Sequence, residues 1–417
     1  MLSRDRLVQV PQPLEIIEHI LEPTELTCSG CGRKLRPSDD VEELALVDQS
    51  HVLKKHVRRK YLCECGTSAV AASGPRAVAT GARYSIDFAC EVAANKYHLA
   101  IPLERQARTL TLQGLDVDSA TLWEQLDKLA RLLVAPYDAL RAHVLRQELV
   151  HVAELPWATP IKATKVAKSA KTWWVWSIAS HDAVYYQLAP VRGHAVLSEM
   201  LKGFTNTLMF DELSVYQAAK DRLPGMTSVL SWANLHASFV AASTSEIAAR
   251  RALELLDELF EVERDQPAWR SIQDEQRRAI ALEYICEVRR ERCAPVCDAL
   301  LKWAHATREA HPQPGSPLHV ALELLLDQWP SLTQFLSRPE LPLSAAAAPR
   351  QAHQGSKSLR GSEVSALFYT LVESAKLARV DPQKYLCAAA EAALVGDEKA
   401  PLLPAQLRAS RRPAAFL

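Results

Sequence analysis

The sequence predicts a multidomain chain of mixed α+β and α/β class. Its length, 417 residues, calls for roughly two to four structural units rather than one core. A strand-rich block near the middle is flanked on both sides by long helical patterns. Ahead of these lies a cysteine-bearing, strand-like segment with little apolar content of its own.

In order, residues 1–27 form a polar, proline-punctuated extension, and residues 28–75 carry the cysteines and the alternating pattern of "VEELALVDQSHVLKKHVRRKYLC". Residues 82–147 read as helical. "PLERQARTLTLQG" starts on a proline and stops on Gly114, and Asp118 or Ser119 caps the next helix, so the pair has a helix-turn-helix look. Residues 148–244 hold the strands "LVHVAEL", "TWWVWSIAS", "AVYYQLA", "NTLMFDEL" and "TSVLSWA", with one helix, "HAVLSEMLKG", between the third and fourth. That order implies a mixed sheet covered by helices. Residues 245–335 are helical and charged. Residues 336–400 contain a low-complexity loop at 342–358 and the closing helix "EVSALFYTLVESAKLARV", and residues 401–417 read as a frayed tail.

Composition excludes several classes. With 48% hydrophobic and 24% charged residues the chain is neither disordered nor fibrous. Lys+Arg 49 balances Asp+Glu 49, so any nucleic-acid contact must come from local basic patches. No apolar run reaches the roughly 18 residues of a membrane span, and the N-terminus lacks a basic-then-apolar signal design. Nine cysteines are too few and too irregularly spaced for a disulfide scaffold at this length, and a cytosolic location with reduced thiols is expected.

Four cysteines have ligand spacing. Cys28 and Cys31 stand in "CSGCG", Cys63 and Cys65 in "CECG", and two such knuckles joined by strands make a zinc ribbon. The second knuckle is one residue shorter than usual; the competing reading is four incidental thiols. A small, core-poor segment needs a metal to fold, which favours structural zinc. Cys286, Cys293 and Cys297 lie in a charged helical stretch without a histidine at ligand spacing and read as packed helix residues.

Basic residues cluster twice. Lys54, Lys55, Arg58, Arg59 and Lys60 alternate along one strand and suit phosphate contacts. Lys162, Lys165, Lys168 and Lys171 read equally well as a backbone-touching hairpin tip or a solvated connection. Trp173, Trp174 and Trp176 read first as core and second as a stacking surface, and His151 as packed. Gly-rich phosphate loops, nucleophile elbows and HExxH are absent.

Taken together, "CSGCG … KYLC", "NKYHLAIPLERQ", "FDELSVY", "SWA" and "LFYTLVESAKLARVDPQKYL" resemble the insertion-sequence-66 type of transposase over roughly residues 15–395. The resemblance implies a zinc ribbon, a helical DNA-binding region and a ribonuclease-H-like catalytic domain with a helical insertion. It also implies three carboxylates holding two magnesium or manganese ions, double-stranded transposon-end DNA as partner, and a homo-oligomer. Members usually carry a further helical segment ahead of the ribbon, where this chain has 27 residues, so loss of a multimerising or end-binding part is expected.

Carried over position by position, the acidic set is incomplete. The family's first motif, His-Ala-Asp and a further acid, becomes His151, Val152, Ala153 and Glu154, so Ala153 takes the place of the aspartate. Asp211 matches the second acid, with Tyr216 five residues on. The third motif becomes "PLSAAAA", which puts Ala347 at the glutamate. Two metal ions about 4 Å apart need several hard oxygen ligands, which one carboxylate cannot supply. The leading expectation is a DNA-binding transposase relative without strand cleavage. The alternatives are an active enzyme in which a bulge turns Glu154 inward beside Asp211 and Glu340, and a repurposed regulator or interaction scaffold.

Overall fold

The computed structural model describes residues 60–62, 69–71, 84–113, 115–157, 173–210, 225–310, 313–344, 358–396 and 403–409. The chain divides into two compact units, Met1–Pro75 and Arg76–Leu417. In the first, β1 (Lys60–Leu62) pairs antiparallel with β2 (Ala69–Ala71), Tyr61 opposite Val70.

The second unit opens with four helices: α1 (Ile86–Tyr97), α2 (Leu103–Leu112), α3 (Ser119–Leu132) and α4 (Val134–Val144). Ser85 caps α1 by accepting from Phe88 N, and Asp118 caps α3 by accepting from Thr121 N at 2.7 Å. Leu122, Leu126 and Leu129 recur at helical spacing on α3 and are fully buried.

Next come β3 (Leu149–Trp157), β4 (Trp173–Ala179), β5 (Val184–Ala189), α5 (His194–Met200), β6 (Thr207–Phe210) and β7 (Thr227–Leu230). They form one sheet in the order β5-β4-β3-β6-β7. β3 to β5 are antiparallel to one another, while β6 and β7 run parallel to β3. This mixed order, three antiparallel strands followed by parallel ones after a crossover helix, is compatible with a ribonuclease-H-like core. All five strands and the crossover helix fall where alternation and apolar runs put them. One boundary differs. "SWA" does not extend β7: Ser231 precedes α6 (Trp232–Ser243), a helix the pattern did not single out. A short apolar run reads as strand or buried helix alike.

Helices cover both faces. On one, Tyr137 of α4 donates to Tyr186 O at 2.7 Å and stacks tilted on Tyr185, and Arg141 reaches Glu199 O at the end of α5. On the other lies α12 (Leu359–Leu377), buried nearly all round, where Ser362 accepts from Trp157 Nε1. Side-chain hydroxyls close both edges of the sheet. Thr370 accepts from Tyr186 N, Ser374 bonds both Val184 N and Val184 O, and at the far edge Ser331 accepts from Leu230 N. Edge strands with open ladders invite foreign pairing, and these contacts remove the opening.

Between β7 and α12 stand α7 (Ala249–Arg264), α8 (Glu275–Val288), a π-helical turn Arg289–Cys293, α9 (Ala294–Ala310), α10 (Pro317–Asp327) and α11 (Trp329–Leu332). Cys293 and Cys297 are buried and Cys286 half-buried. α13 (Pro382–Val395) follows the closing helix, and α14 (Pro404–Ala409) corrects part of the frayed-tail expectation. Leu403 N donates to Gln406 Oε1 there, and Leu403 and Leu407 pack on the core. No helix among the described residues is long and apolar enough to cross a membrane.

Candidate functional site

The register of β3 decides which side chains can meet. Pairing with β4 runs without interruption from His151 opposite Ala179 to Trp157 opposite Trp173, so there is no bulge at Glu154. Side chains alternate, and Ala153 therefore shares a face with Leu149 and His151, while Glu154 shares the other with Val150 and Val152. On that second face Glu154 Oε1 accepts from Arg192 Nη2 at 2.8 Å and Nε at 3.2 Å. Its side chain is only 4% exposed, and Arg192 also lies 5.0 Å over the Trp174 ring. Trp176 is fully buried and Trp173 nearly so, as core packing requires.

β6 lies parallel to β3, with Met209 opposite His151 and Phe210 opposite Val152. The strand ends one residue before Asp211, which is outside the described residues, as is Ala347. Glu340 is on the His151 side of the sheet. Its carboxylate accepts from Arg338 Nε at 2.7 Å, and its backbone carbonyl accepts from Arg270 Nη2 at 2.8 Å. Glu154 and Glu340 are thus not brought together; each is taken up by its own arginine. Among the described residues no three His, Cys, Asp or Glu side chains gather as metal ligands. The described acids therefore do not fit a two-metal site.

What the fold does assemble on the Ala153 side is a basic cavity of about 570 Å³ at the start of β3. Leu149, His151 and Leu341 line it, with Trp269 and the arginines Arg146, Arg270, Arg278 and Arg338. Glu148 and Glu340 are the carboxylates in its wall. His151 is 5% exposed, and its Nδ1 has no hydrogen-bond partner among the described residues. Burial, reinforced by the positive charge of Arg270, pulls the imidazole down to about 4, so the ring is neutral at pH 7. Burial likewise lowers Arg270, against the opposing pull of Glu148 and Glu340.

Sequence reasoning noticed His151 but not this cluster. Its members come from positions 146, 151, 270, 278 and 338, and no linear spacing signals such a gathering. The expected ribbon ligands Cys28, Cys31, Cys63 and Cys65 lie outside the described residues, as do Lys54, Lys55, Arg58, Arg59, Lys162, Lys165, Lys168 and Lys171. Lys60 opens β1.

The described fold is a mixed five-stranded sheet covered by helices, and comparison with known proteins supplies its class. The profile described as Transposase IS66 family matches residues 81–353, and the chain belongs to that family. It is similar to two proteins of Sinorhizobium fredii (strain NBRC 101917 / NGR234). It is 23% identical to uncharacterized protein y4hP, over 92% of this chain and 74% of the relative. It is 25% identical to uncharacterized protein y4jD, over 90% and 76%.

Proposed function

We propose that this chain is a DNA-binding member of its transposase family that does not cut DNA by the three-carboxylate route. One observation carries the reading: on an unbroken strand, Glu154 points to the face opposite Ala153, the residue that the resemblance sets at the aspartate position, and is bound to Arg192. An in-line phosphoryl displacement needs metal-held oxygens on both the attacking and leaving sides, and a single aspartate at 211 does not supply them. Binding would use double-stranded DNA resembling transposon ends. The residues proposed to touch it are Lys54, Lys55, Arg58, Arg59 and Lys60, with Lys162, Lys165, Lys168 and Lys171. Structural zinc on Cys28, Cys31, Cys63 and Cys65 belongs to the same proposal, on spacing alone. So do a homo-oligomer, a ribonuclease-H-like identity for the sheet domain and a bacterial cytoplasmic location.

The test is manganese-dependent cleavage of a labelled duplex carrying candidate transposon ends, run beside Asp211→Ala. The expected result is salt-sensitive binding without cleavage. Cleavage abolished by Asp211→Ala would overturn the reading and restore Glu154 and Glu340 as substitute ligands. Absence of both activities would move the protein to an interaction scaffold.

A further inference from the structure

The cavity beside His151 holds more charge and more unmet hydrogen-bonding capacity than packing requires. Arg146 makes no ion pair within 4 Å among the described residues, and Arg270 makes none with Glu148 or Glu340 despite sharing the cavity wall with both. Arg338 spends its Nε on Glu340 and one Nη on Thr207 Oγ1. Four guanidinium groups against two carboxylates leave the wall net cationic. In the same wall stands His151, more than nine-tenths buried.

The shape fits one chemistry. A cavity of about 570 Å³ lies within the usual range for small-molecule sites. A phosphomonoester brings several acceptor oxygens and a charge near −2, which matches several forked guanidinium donors better than one carboxylate would. Trp269, whose ring already carries the Arg270 guanidinium 4.3 Å from its centroid, joins Leu149, Leu341 and Pro342 as an apolar wall for the remainder.

We propose that this cavity binds the phosphate of a nucleotide, with Arg146 and Arg270 as its charge partners and Trp269 against the base. The phosphate can arrive on a free nucleotide or at the end of a DNA strand. Only the second source rests on the DNA-binding reading. Failure of duplex binding with retention of mononucleotide binding would separate the two.

The experiment is calorimetric titration of the full chain with deoxyadenosine monophosphate, with deoxyadenosine and with inorganic phosphate. It is repeated for Arg146→Gln and Arg270→Gln, each first checked by thermal melting. The monophosphate is expected to bind, the nucleoside without phosphate to bind at least about ten-fold more weakly, and each variant to lose about ten-fold or more. Arg146 is exposed and away from the ion pairs, so its variant stays informative if Arg270→Gln fails to fold. A second arm compares a 5′-phosphorylated oligonucleotide with its unphosphorylated twin; preference for the phosphorylated strand over the mononucleotide identifies a strand end as the source. Equal affinity for nucleoside and nucleotide, binding indifferent to Arg146→Gln, or no binding of any phosphorylated probe would overturn the proposal.

Discussion

Arg192 grips Glu154 through two nitrogens on the face of the sheet that Ala153 does not share. The carboxylate next to Ala153 in sequence is thereby a structural ion-pair partner. The pair joins the middle of β3 to the loop before α5, and the Trp174 ring beneath the guanidinium adds a cation–π contact. Glu154→Gln keeps the shape but removes the charge from a side chain that is 4% exposed. It should cost about 1–3 kcal/mol in urea unfolding and leave DNA affinity unchanged. Weaker DNA binding at unaltered stability would return Glu154 to a functional role.

Ala153→Asp tests the same geometry from the other side. The new carboxylate would face the His151 side of the sheet, at the position the resemblance assigns to the first acid. Alone it is expected to leave manganese-dependent cleavage at background, since the third position is Ala347 and Glu340 is held by Arg338. Cleavage by the single variant would show that two carboxylates suffice in this frame.

Arg289 ties the helical insertion to the segment that returns to the sheet. Its Nε and Nη2 meet the two oxygens of Glu263 at 2.6 and 2.7 Å. The remaining donors reach the carbonyls of Phe335, Arg338 and Leu341. The residue sits on the π-helical turn between α8 and α9, a distortion that often marks a constrained position. Lysine cannot form this fork, so Arg289→Lys should lose about 3–5 kcal/mol, with faster amide exchange across residues 335–341. Unchanged exchange in that segment would show that the arginine is not its anchor.

That hub also shows where sequence reasoning stops. The strands of "TWWVWSIAS" and "AVYYQLA", and the closing helix around "LFYTLVESAKL", were legible because each is specified by its own local pattern. So was the direction of Glu154, since strand alternation alone sets it on the side opposite Ala153. The partners of these groups were not. Arg192 for Glu154, Glu263 for Arg289, and Arg270, Arg278 and Arg338 around His151 are separated by 26 to 187 positions and meet only through tertiary packing. The helix at Trp232 was missed because its start follows a strand with no proline or glycine between them.

Ser374 tests the closed sheet edge. Its hydroxyl accepts from Val184 N at 3.0 Å and donates to Val184 O at 2.9 Å, and both partners are buried. Ser374→Ala would strand a backbone donor and an acceptor at once. The expected loss is about 1–3 kcal/mol, with protection from exchange falling at Val184 ahead of the rest of β5. A loss within a few tenths of that for an exposed serine such as Ser243 would mean that another group takes over the edge.

His151 should give the fold a measurable acid sensitivity. The ring takes a proton near 6.5 when unfolded but near 4 when folded, because burial and then Arg270 oppose the charge. Arg338, His181, Glu148 and Glu340 line the same cavity. Between these values the unfolded chain binds more protons, so stability falls as pH drops from about 6.5 to about 4 and is independent of this group above that window. The full effect is at most about 3 kcal/mol. Asp182 acts in a lower window. Burial would raise its carboxyl, but hydrogen bonds from His143 and Ser180 prevail and hold it at about 2, so its contribution is lost only as pH falls from 3.8 towards 2. His151→Leu removes its own share of the upper window and keeps the lower. Urea midpoints measured every half unit from pH 7.5 to 4 should slope more steeply for the parent protein than for His151→Leu, where the remaining slope comes from His181, whose imidazole burial also lowers. Parallel slopes would show that the acid sensitivity in this range belongs to other groups and that the imidazole is not held neutral by its cavity.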